Sequence, residues 1–512
     1  MSKRIICAAL CLALACTLSG CMAGMEALNR DSGVTLPPTV VRFAAPTGDT
    51  NQESAQTVLL YVPNAAGTRL IAQTERLVIS AARHPAEAAL RRLFAFAGSD
   101  SAQPLTQDVT LQLSSVNPVE ISGDTATVNL SSAALTLSHR ELYVACQAIA
   151  NTLTQWGDIR YVNVLVSSTQ PGLDVGANVP VGCFTQNLTD GIDALTASAE
   201  AQAAVAADRR VSLAATLYFP TYAGKGILAE TRLLSFDGRG KVVLIETLLS
   251  ALSQGAQTLE NVPALPALGE YLAEAAVQEI ALTGGQRAVL RFTAGFNDAL
   301  ISAGVPRSVM MAALTYTLTS FVPGISGVTV YIGEELVTAV VPNGVYEGAG
   351  EAINFPEGVM RRGDFSHFLL ANCTLYFGDG AGHLVAVQRP VPYYETRSAR
   401  SLLGYLMQGP QSWDSRGAQP VLPAEVSNAD LLGVGLDDGT LLLNWAQRFA
   451  AAAAGADEGA ERLLIYAIVN TLCQLPAVRG VCFFIDGAQP QSLAGHLYLP
   501  GTFLKNGSLV RE

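Results

Sequence analysis

The feature that most constrains this chain is that it repeats itself three times. A strand-like segment with an aromatic pair or near-pair recurs as Leu59-Leu60-Tyr61-Val62-Pro63, Leu217-Tyr218-Phe219-Pro220 and Leu375-Tyr376-Phe377-Gly378. Tyr218 follows Tyr61 by 157 residues, and Tyr376 follows Tyr218 by 158. A second marker recurs as Asn151-Thr152-Leu153, Tyr316-Thr317-Leu318 and Asn470-Thr471-Leu472, its threonine 91, 99 and 95 residues after the tyrosine. Between the two lie Arg76, Arg232 and Arg389, at 15, 14 and 13 residues. The tails correspond as well: Pro180-Val181-Gly182-Cys183-Phe184, Pro342-Asn343-Gly344-Val345-Tyr346 and Pro500-Gly501-Thr502-Phe503. Ordered markers at near-constant spacing are the mark of one supersecondary unit copied in tandem.

Within each unit the hydrophobic period switches. A β-branched and aromatic opening segment, a glycine turn and a second extended stretch carrying the arginine predict a hairpin. A helix follows at 85–96, with Ala89, Leu90, Leu93 and Phe94 as its apolar stripe, and matching helices start near Lys241 and Ser398. The last stops at Gly409-Pro410, as helices do. Two extended runs come next, such as 121–128 around Ser122-Gly123-Asp124. A long helix then places Leu142, Cys146, Ile149 and Leu153 on one face, as do Met311, Leu314, Leu318 and Phe321, and Leu464, Ile468, Leu472 and Leu475. A final strand is expected at 162–166, 328–332 and 481–485. The order β-β-α-β-β-α-β predicts an α+β fold of α/β sandwich modules, each a mixed sheet with two helices packed on it. The expected divisions are 56–186, 212–346 and 371–512, joined by linkers at 187–211, with a helix at 199–209, and at 347–370, with a loop over 348–365.

The first residues follow another logic. Lys3 and Arg4 precede an apolar run over 5–18 and then Leu18-Ser19-Gly20-Cys21. A basic start, a short apolar stretch and small residues make an export signal rather than a membrane span. Its end resembles the lipobox of bacterial lipoproteins, which implies cleavage before Cys21 and a lipid on that thiol. Residues 1–20 are thus expected to be a signal peptide and 21–55 a lipidated, flexible tether rich in Pro, Gly, Thr, Asn and Ser. The expected location is the outer face of the cytoplasmic membrane, with the Cys21 acyl chains as anchor.

The repeats resemble the GerMN domain of sporulation and germination proteins. The resemblance rests on the Leu-Tyr-Phe strand, the helix ending in Gln408-Gly409-Pro410, Ile468-Val469-Asn470-Thr471-Leu472, and the closing Phe484-Ile485-Asp486-Gly487. The third repeat matches best. The first has Phe96-Ala97-Gly98 in place of Gly-Pro, and the second has Tyr316 where the others have asparagine. The resemblance implies an envelope-exposed lipoprotein, a fold similar to ring-building motifs, and no enzymatic activity. It further implies protein partners in the envelope, some family members belonging to the complex that joins mother cell and forespore.

Charge excludes one function class. With 31 basic against 43 acidic residues, a net charge of −12 and only four lysines, the chain lacks the basic patches a phosphate backbone needs. Only 14% of residues are charged, against roughly 25% in ordinary domains, which favours large packed surfaces. A catalytic repeat should repeat its acid, base or nucleophile, yet His84, His139, His367, His383 and His496 fall at unmatched positions. No metal-ligand spacing, nucleophile elbow or phosphate loop is present, and neither metal nor cofactor is expected. Gly378-Asp379-Gly380-Ala381-Gly382 and Asp437-Asp438-Gly439 read as turns. The recurring tyrosines are expected to bury their rings with the hydroxyl at the surface, and the recurring threonines to bond a preceding carbonyl of their own helix.

Arg76, Arg232 and Arg389 are the one recurring charge. They either cap loop carbonyls and pair with a carboxylate, or hold a ligand or partner carboxylate in their planar fork. Cys146 reads as an inert core thiol, while a Cys373–Cys482 disulfide is open to sequence and decided by geometry. Three functions compete: a non-catalytic envelope scaffold acting through protein contacts, including self-association; a module binding peptidoglycan or another glycan, with exposed aromatics lining a groove near the arginines; and a hydrolase joining His367, Asp364 and Glu357 at a junction.

Overall fold

Each repeat opens with a long antiparallel hairpin: Glu53–Pro63 with Leu70–Ser80, Val211–Pro220 with Ile227–Phe236, and Leu370–Gly378 with Leu384–Pro392. The chain is seen in a computed structural model that describes residues 43–511 apart from 51–52, 81–83, 174–178, 205–207, 261, 282–283, 343–344, 346–349, 394 and 415–416. Cys21 and the export segment lie outside the described residues. The chain divides into two units, Met1–Ala44 and Ala45–Glu512, and the three repeats all belong to the second.

A helix follows each hairpin, at Pro85–Phe94, Lys241–Ser253 and Ala399–Met407. The first begins with proline in its opening turn, where a missing N–H costs nothing, and His84 accepts from Ala86 N at 3.1 Å. The third is capped by Ser398. Then come two antiparallel strands, a long helix, and a strand parallel to the second of the pair. In the first repeat these are Val119–Ser122, Thr125–Leu130, His139–Leu153 and Tyr161–Val166. In the second they are Leu272–Glu279, Gln286–Phe292, Arg307–Phe321 and Ile325–Ile332. In the third they are Leu431–Asp437, Thr440–Trp445, Glu458–Leu472 and Gly480–Ile485. The α+β order expected from the hydrophobic periods is therefore present in all three copies, and each copy carries its own buried apolar cluster.

Hydrogen bonding nevertheless divides each repeat into a hairpin, extended in the third by the short strand Val510–Arg511, and a separate mixed sheet, where one sheet was expected. The recurring threonine and tyrosine explain why. Tyr61 N donates to Thr152 Oγ1 at 3.1 Å, Tyr218 N to Thr317 Oγ1 at 3.0 Å, and Tyr376 N to Thr471 Oγ1 at 3.3 Å. In the outer repeats Gln155 and Gln474 add a two-way clasp, accepting from the amide and donating to the carbonyl of Leu59 and Thr374 respectively. The edge of the hairpin's first strand is thus met by side chains of the long helix rather than by another strand. The threonine reaches this strand amide, a partner the expectation of a bond within its own helix did not include. Thr471→Val should leave the Tyr376 amide buried and unpaired, at a cost of about 1–3 kcal/mol. Urea unfolding of the variant against the parent protein measures it.

Three further expectations are corrected. The linker helix spans Ile192–Ala203 rather than 199–209. The stretch expected as a loop over 348–365 contains the short strand Ile353–Asn354, paired with Ala339–Val340, and the start of a 3-10 segment at Arg362–Phe368. Most consequential, the end of the expected tether is built into the third repeat. Gly48–Asp49 runs parallel to the strand containing Gly433 and Val434, and Asn444 Nδ2 donates to Pro46 O at 3.0 Å. Arg400 grips both oxygens of Asp49 at 2.6 Å, a fork that holds the Asp49 carboxyl below the usual range. Gly433 is required there, because a Cβ would sit 2.4 Å from Pro46 O.

Candidate functional site

The most distinctive chemistry in the molecule lies between repeats. Glu120, on the strand Val119–Ser122, and Arg362, in the segment joining the second and third repeats, are each only 3% exposed. Arg362 donates to Glu120 Oε2 from Nε at 3.0 Å and from Nη2 at 2.6 Å. Its other hydrogens go to Ser320 Oγ at 2.7 Å and Tyr218 Oη at 3.0 Å. Tyr316 donates to Glu120 Oε1 at 3.3 Å, and its ring carries the guanidinium 3.9 Å above its centroid. Burial works against the Arg362 charge, but Glu120 together with Tyr218 and Tyr316 outweighs it and raises the arginine pKa above its ordinary value. A buried ion pair is tolerable only when its remaining donors and acceptors are met, and these are.

The second repeat's departures from the pattern belong to this cluster. Where it has Tyr316 and Ser320, the outer repeats have Asn151 and Gln155, Asn470 and Gln474. Those asparagines tie down their own tails: Asn151 with Asn187, and Asn470 with Asn506, each through both backbone groups. Tyr316 and Ser320 turn outward instead, to Glu120 of the first repeat and to Arg362. Ser320 O also accepts from Asn163 at 3.1 Å and Gln170 at 2.9 Å of the first repeat. The recurring Tyr218 does not place its hydroxyl at the surface as expected; Arg362 and Thr127 hold it in the interior. Ser122 stitches three repeats together, donating to Leu370 O at 2.5 Å and accepting from Ala229 N at 3.0 Å.

The recurring arginines have two fates. Arg232 donates to Ala251 O and, at 3.0 Å, to Gly255 O, with Glu230 beside it at 3.4 Å. Arg389 donates to Tyr405 O at 3.0 Å, Gly409 O at 2.9 Å and Asp414 Oδ2 at 2.5 Å. Both therefore clasp the C-terminal end of the helix that follows their hairpin, where unpaired carbonyls and the negative dipole end attract a cation. Arg76 is exposed on its strand.

Cys373 and Cys482 are free thiols on strands of separate sheets, Cys373 opposite Arg389 and Cys482 opposite Leu442, and form no disulfide. Burial pushes the Cys373 thiol up to about 12 and raises that of Cys146, which keeps both protonated and unreactive. Asp364 accepts from Arg361 N at 2.7 Å, closing its own turn. Among the described residues no group of His, Cys, Asp or Glu could hold a metal ion, and no helix is long and apolar enough to cross a membrane.

Sequence reasoning also missed Glu461, a buried glutamate on the third long helix. It accepts from Leu493 N at 2.8 Å, Ala494 N at 3.0 Å, His496 N at 2.9 Å and Leu497 N at 3.0 Å, holding the returning loop. Burial pushes its carboxyl up, yet the four amides outweigh burial and keep the pKa below the ordinary glutamate value. A carboxyl that binds its proton less tightly when folded stabilises above its unfolded pKa of about 4.3. That contribution disappears as pH falls through the lower, folded value. Glu461→Gln should cost about 1–3 kcal/mol near neutrality and remove part of the acid-side loss of stability. Urea midpoints measured down the acid range would show it.

Residues 59–170 and 374–491 match the family model described as Germane: Sporulation and spore germination. The chain therefore carries GerMN domains, of a family linked to sporulation and germination, in its first and third repeats. The middle repeat falls outside both stretches. Among solved structures the chain is similar to the tandem GerMN domains of the sporulation protein GerM from Bacillus subtilis. That match has 16% identity over 58% of this chain and 100% of that one, with a TM-score of 0.23. The first GerMN domain of the same protein matches at 24% identity over 27% of this chain and 98% of that one, TM-score 0.22. A putative lipoprotein from Clostridium perfringens matches at 21% identity over 27% and 88%, TM-score 0.19. No curated protein matches the chain.

Proposed function

We propose that this protein is a non-catalytic envelope lipoprotein, anchored through Cys21, whose GerMN repeats form a rigid scaffold for protein partners in sporulation or germination. The observation that carries this reading is the fate of the recurring polar residues. Tyrosine amide, threonine and, in two repeats, arginine and asparagine are all spent on internal hydrogen bonds. What is copied is an architecture rather than a reacting constellation. Repeated modules present several weak contacts in parallel, and avidity then replaces a deep pocket.

A second reading, a module binding wall glycan, is favoured by one specific observation: a cleft where exposed Trp413 and Tyr222 flank Arg389. Crosslinking of the anchored protein in living cells, followed by mass spectrometry, separates the two. Specific envelope proteins captured by the parent, and lost on Cys21→Ser, are the result expected of the scaffold. Wall fragments alone would overturn it in favour of the second reading.

A further inference from the structure

The first strand of the third repeat's mixed sheet, Leu431–Asp437, takes a piece of chain from outside its own repeat: Gly48 and Asp49 pair in parallel with Gly433 and Val434. Its edge is shaped for that strand. Val119, Ala275 and Val434 hold one place in the three sheets, each opposite the residue two before the end of the neighbouring strand. The residues on either side are Pro118 and Glu120 in the first repeat, Glu274 and Ala276 in the second, and Gly433 and Gly435 in the third. The glycines leave room for a second backbone, since Cβ atoms there would lie 2.4 Å from Pro46 O and 3.2 Å from Thr50 Oγ1.

Fixed groups receive the added strand. Asn444 donates to Pro46 O at 3.0 Å, and Gly487 N orients it by donating to its Oδ1 at 2.9 Å. Val434 O accepts from Thr50 N at 3.0 Å. Arg400, steadied by a bond to Asn428 O at 2.9 Å, turns its fork on Asp49. Gly48 sits at φ 81°, a conformation that favours glycine. The occupant is lightly held: Pro46 is buried, but Thr47, Gly48, Asp49 and Thr50 stay exposed. Beside Thr50 a space of about 100 Å³ remains, lined by Leu436, Leu441, Leu475 and Val478. An aliphatic side chain at that position would bury more apolar surface than threonine does. A second copy is a poor source for it. Only residues 51 and 52 separate the docked strand from Glu53, so its first repeat would arrive where this chain's own hairpin already lies against Leu431–Asp437.

We propose that this edge is a strand-addition site for an extended segment of a partner protein, carrying Gly-Asp and then an aliphatic residue, and that Pro46–Thr50 is the built-in plug which such a segment displaces. The inference rests on the partner-scaffold reading and gives it a docking site. The probe is a fluorescent peptide with the sequence of residues 43–50 carrying Thr50→Leu, titrated into the full-length protein and followed by anisotropy. Asp49→Lys, whose own segment Arg400 repels, should bind it at least about tenfold tighter than the parent does, because the site is no longer plugged. The peptide that keeps threonine should bind about tenfold more weakly than the leucine peptide. Adding Arg400→Ala to Asp49→Lys should cost at least about fivefold.

No saturable binding, equal affinity of parent and Asp49→Lys, or indifference to the leucine or to Arg400→Ala would overturn the site. Dimers formed on mixing Arg400→Ala with Asp49→Lys protein would overturn it in favour of a second copy as occupant. Crosslinking in cells separates the site from the broader reading. Envelope proteins captured more by Asp49→Lys than by the parent, and lost when Arg400→Ala is added, would support the site. Equal capture by all three would overturn the site while sparing the scaffold reading. Peptide binding with no envelope protein captured would support the site and overturn that reading.

Discussion

Replacing Arg362 by alanine is expected to destabilise the protein by about 3–5 kcal/mol, because it strands the buried Glu120 carboxylate with no countercharge. The cost is large for a reason beyond the ion pair. Arg362 also holds Ser320 and Tyr218 of the second repeat, so the variant unpairs groups there as well as Glu120 of the first. Glu120→Ala should cost a similar amount from the other side. The informative variant is the double replacement Glu120→Leu with Arg362→Met, which removes both charges and keeps apolar volume. It should recover most of the loss, since a buried pair replaced by hydrophobic residues is often neutral. Denaturant unfolding of the two single variants and the double variant supplies the cycle. Additive losses, with no recovery in the double, would show that the cluster is not coupled as the geometry requires. The first and second repeats should also lose their joint cooperativity in Arg362→Ala, visible as a broadened or split transition.

The second large effect is expected at Arg389. Its partner Asp414 has a side chain 0% exposed, so Arg389→Ala leaves a buried carboxylate without its countercharge and takes a donor from two helix-end carbonyls. A loss of about 3–5 kcal/mol follows from the stranded charge alone. Arg389→Lys should recover only part of it. An ammonium is a compact point charge on a flexible stem, whereas the guanidinium reaches Tyr405 O, Gly409 O and Asp414 through a planar fork. Thermal unfolding of both variants checks the order: parent above Lys above Ala. The loss should concentrate in the third repeat, where hydrogen exchange of the Ala399–Met407 helix would report it first.

How far the sequence could be read is best seen in single residues. The spacing of Tyr61, Tyr218 and Tyr376 to Thr152, Thr317 and Thr471 was visible at once, and the hydrogen bond that joins each pair is the physical cause of that spacing. The substitution of tyrosine for asparagine at 316 was equally visible, but its meaning was not. It is the point where the second repeat gives up its own tail clasp to grip the first. Glu120 offered a weaker signal, a lone acid between Val119 and Ile121 on a strand. Its partner lies 242 residues away, a separation no local pattern can bridge. Residues 46–50 misled for the opposite reason. Proline, glycine and polar residues describe a flexible tether by composition, yet Gly433 lets this segment dock as an added strand.

By itself the sequence determined what is periodic: the triplication, the order of strands and helices, the apolar faces, and the resemblance that led to the GerMN family. Those properties follow from local propensity and from the alternation of burial along one element, which each residue carries with it. Only the tertiary structure decided how the repeats join, which recurring side chains face inward, and that Cys373 and Cys482 stand apart. Those outcomes depend on distances between residues far apart in the chain, where a buried charge or amide must find its partner or not be buried at all.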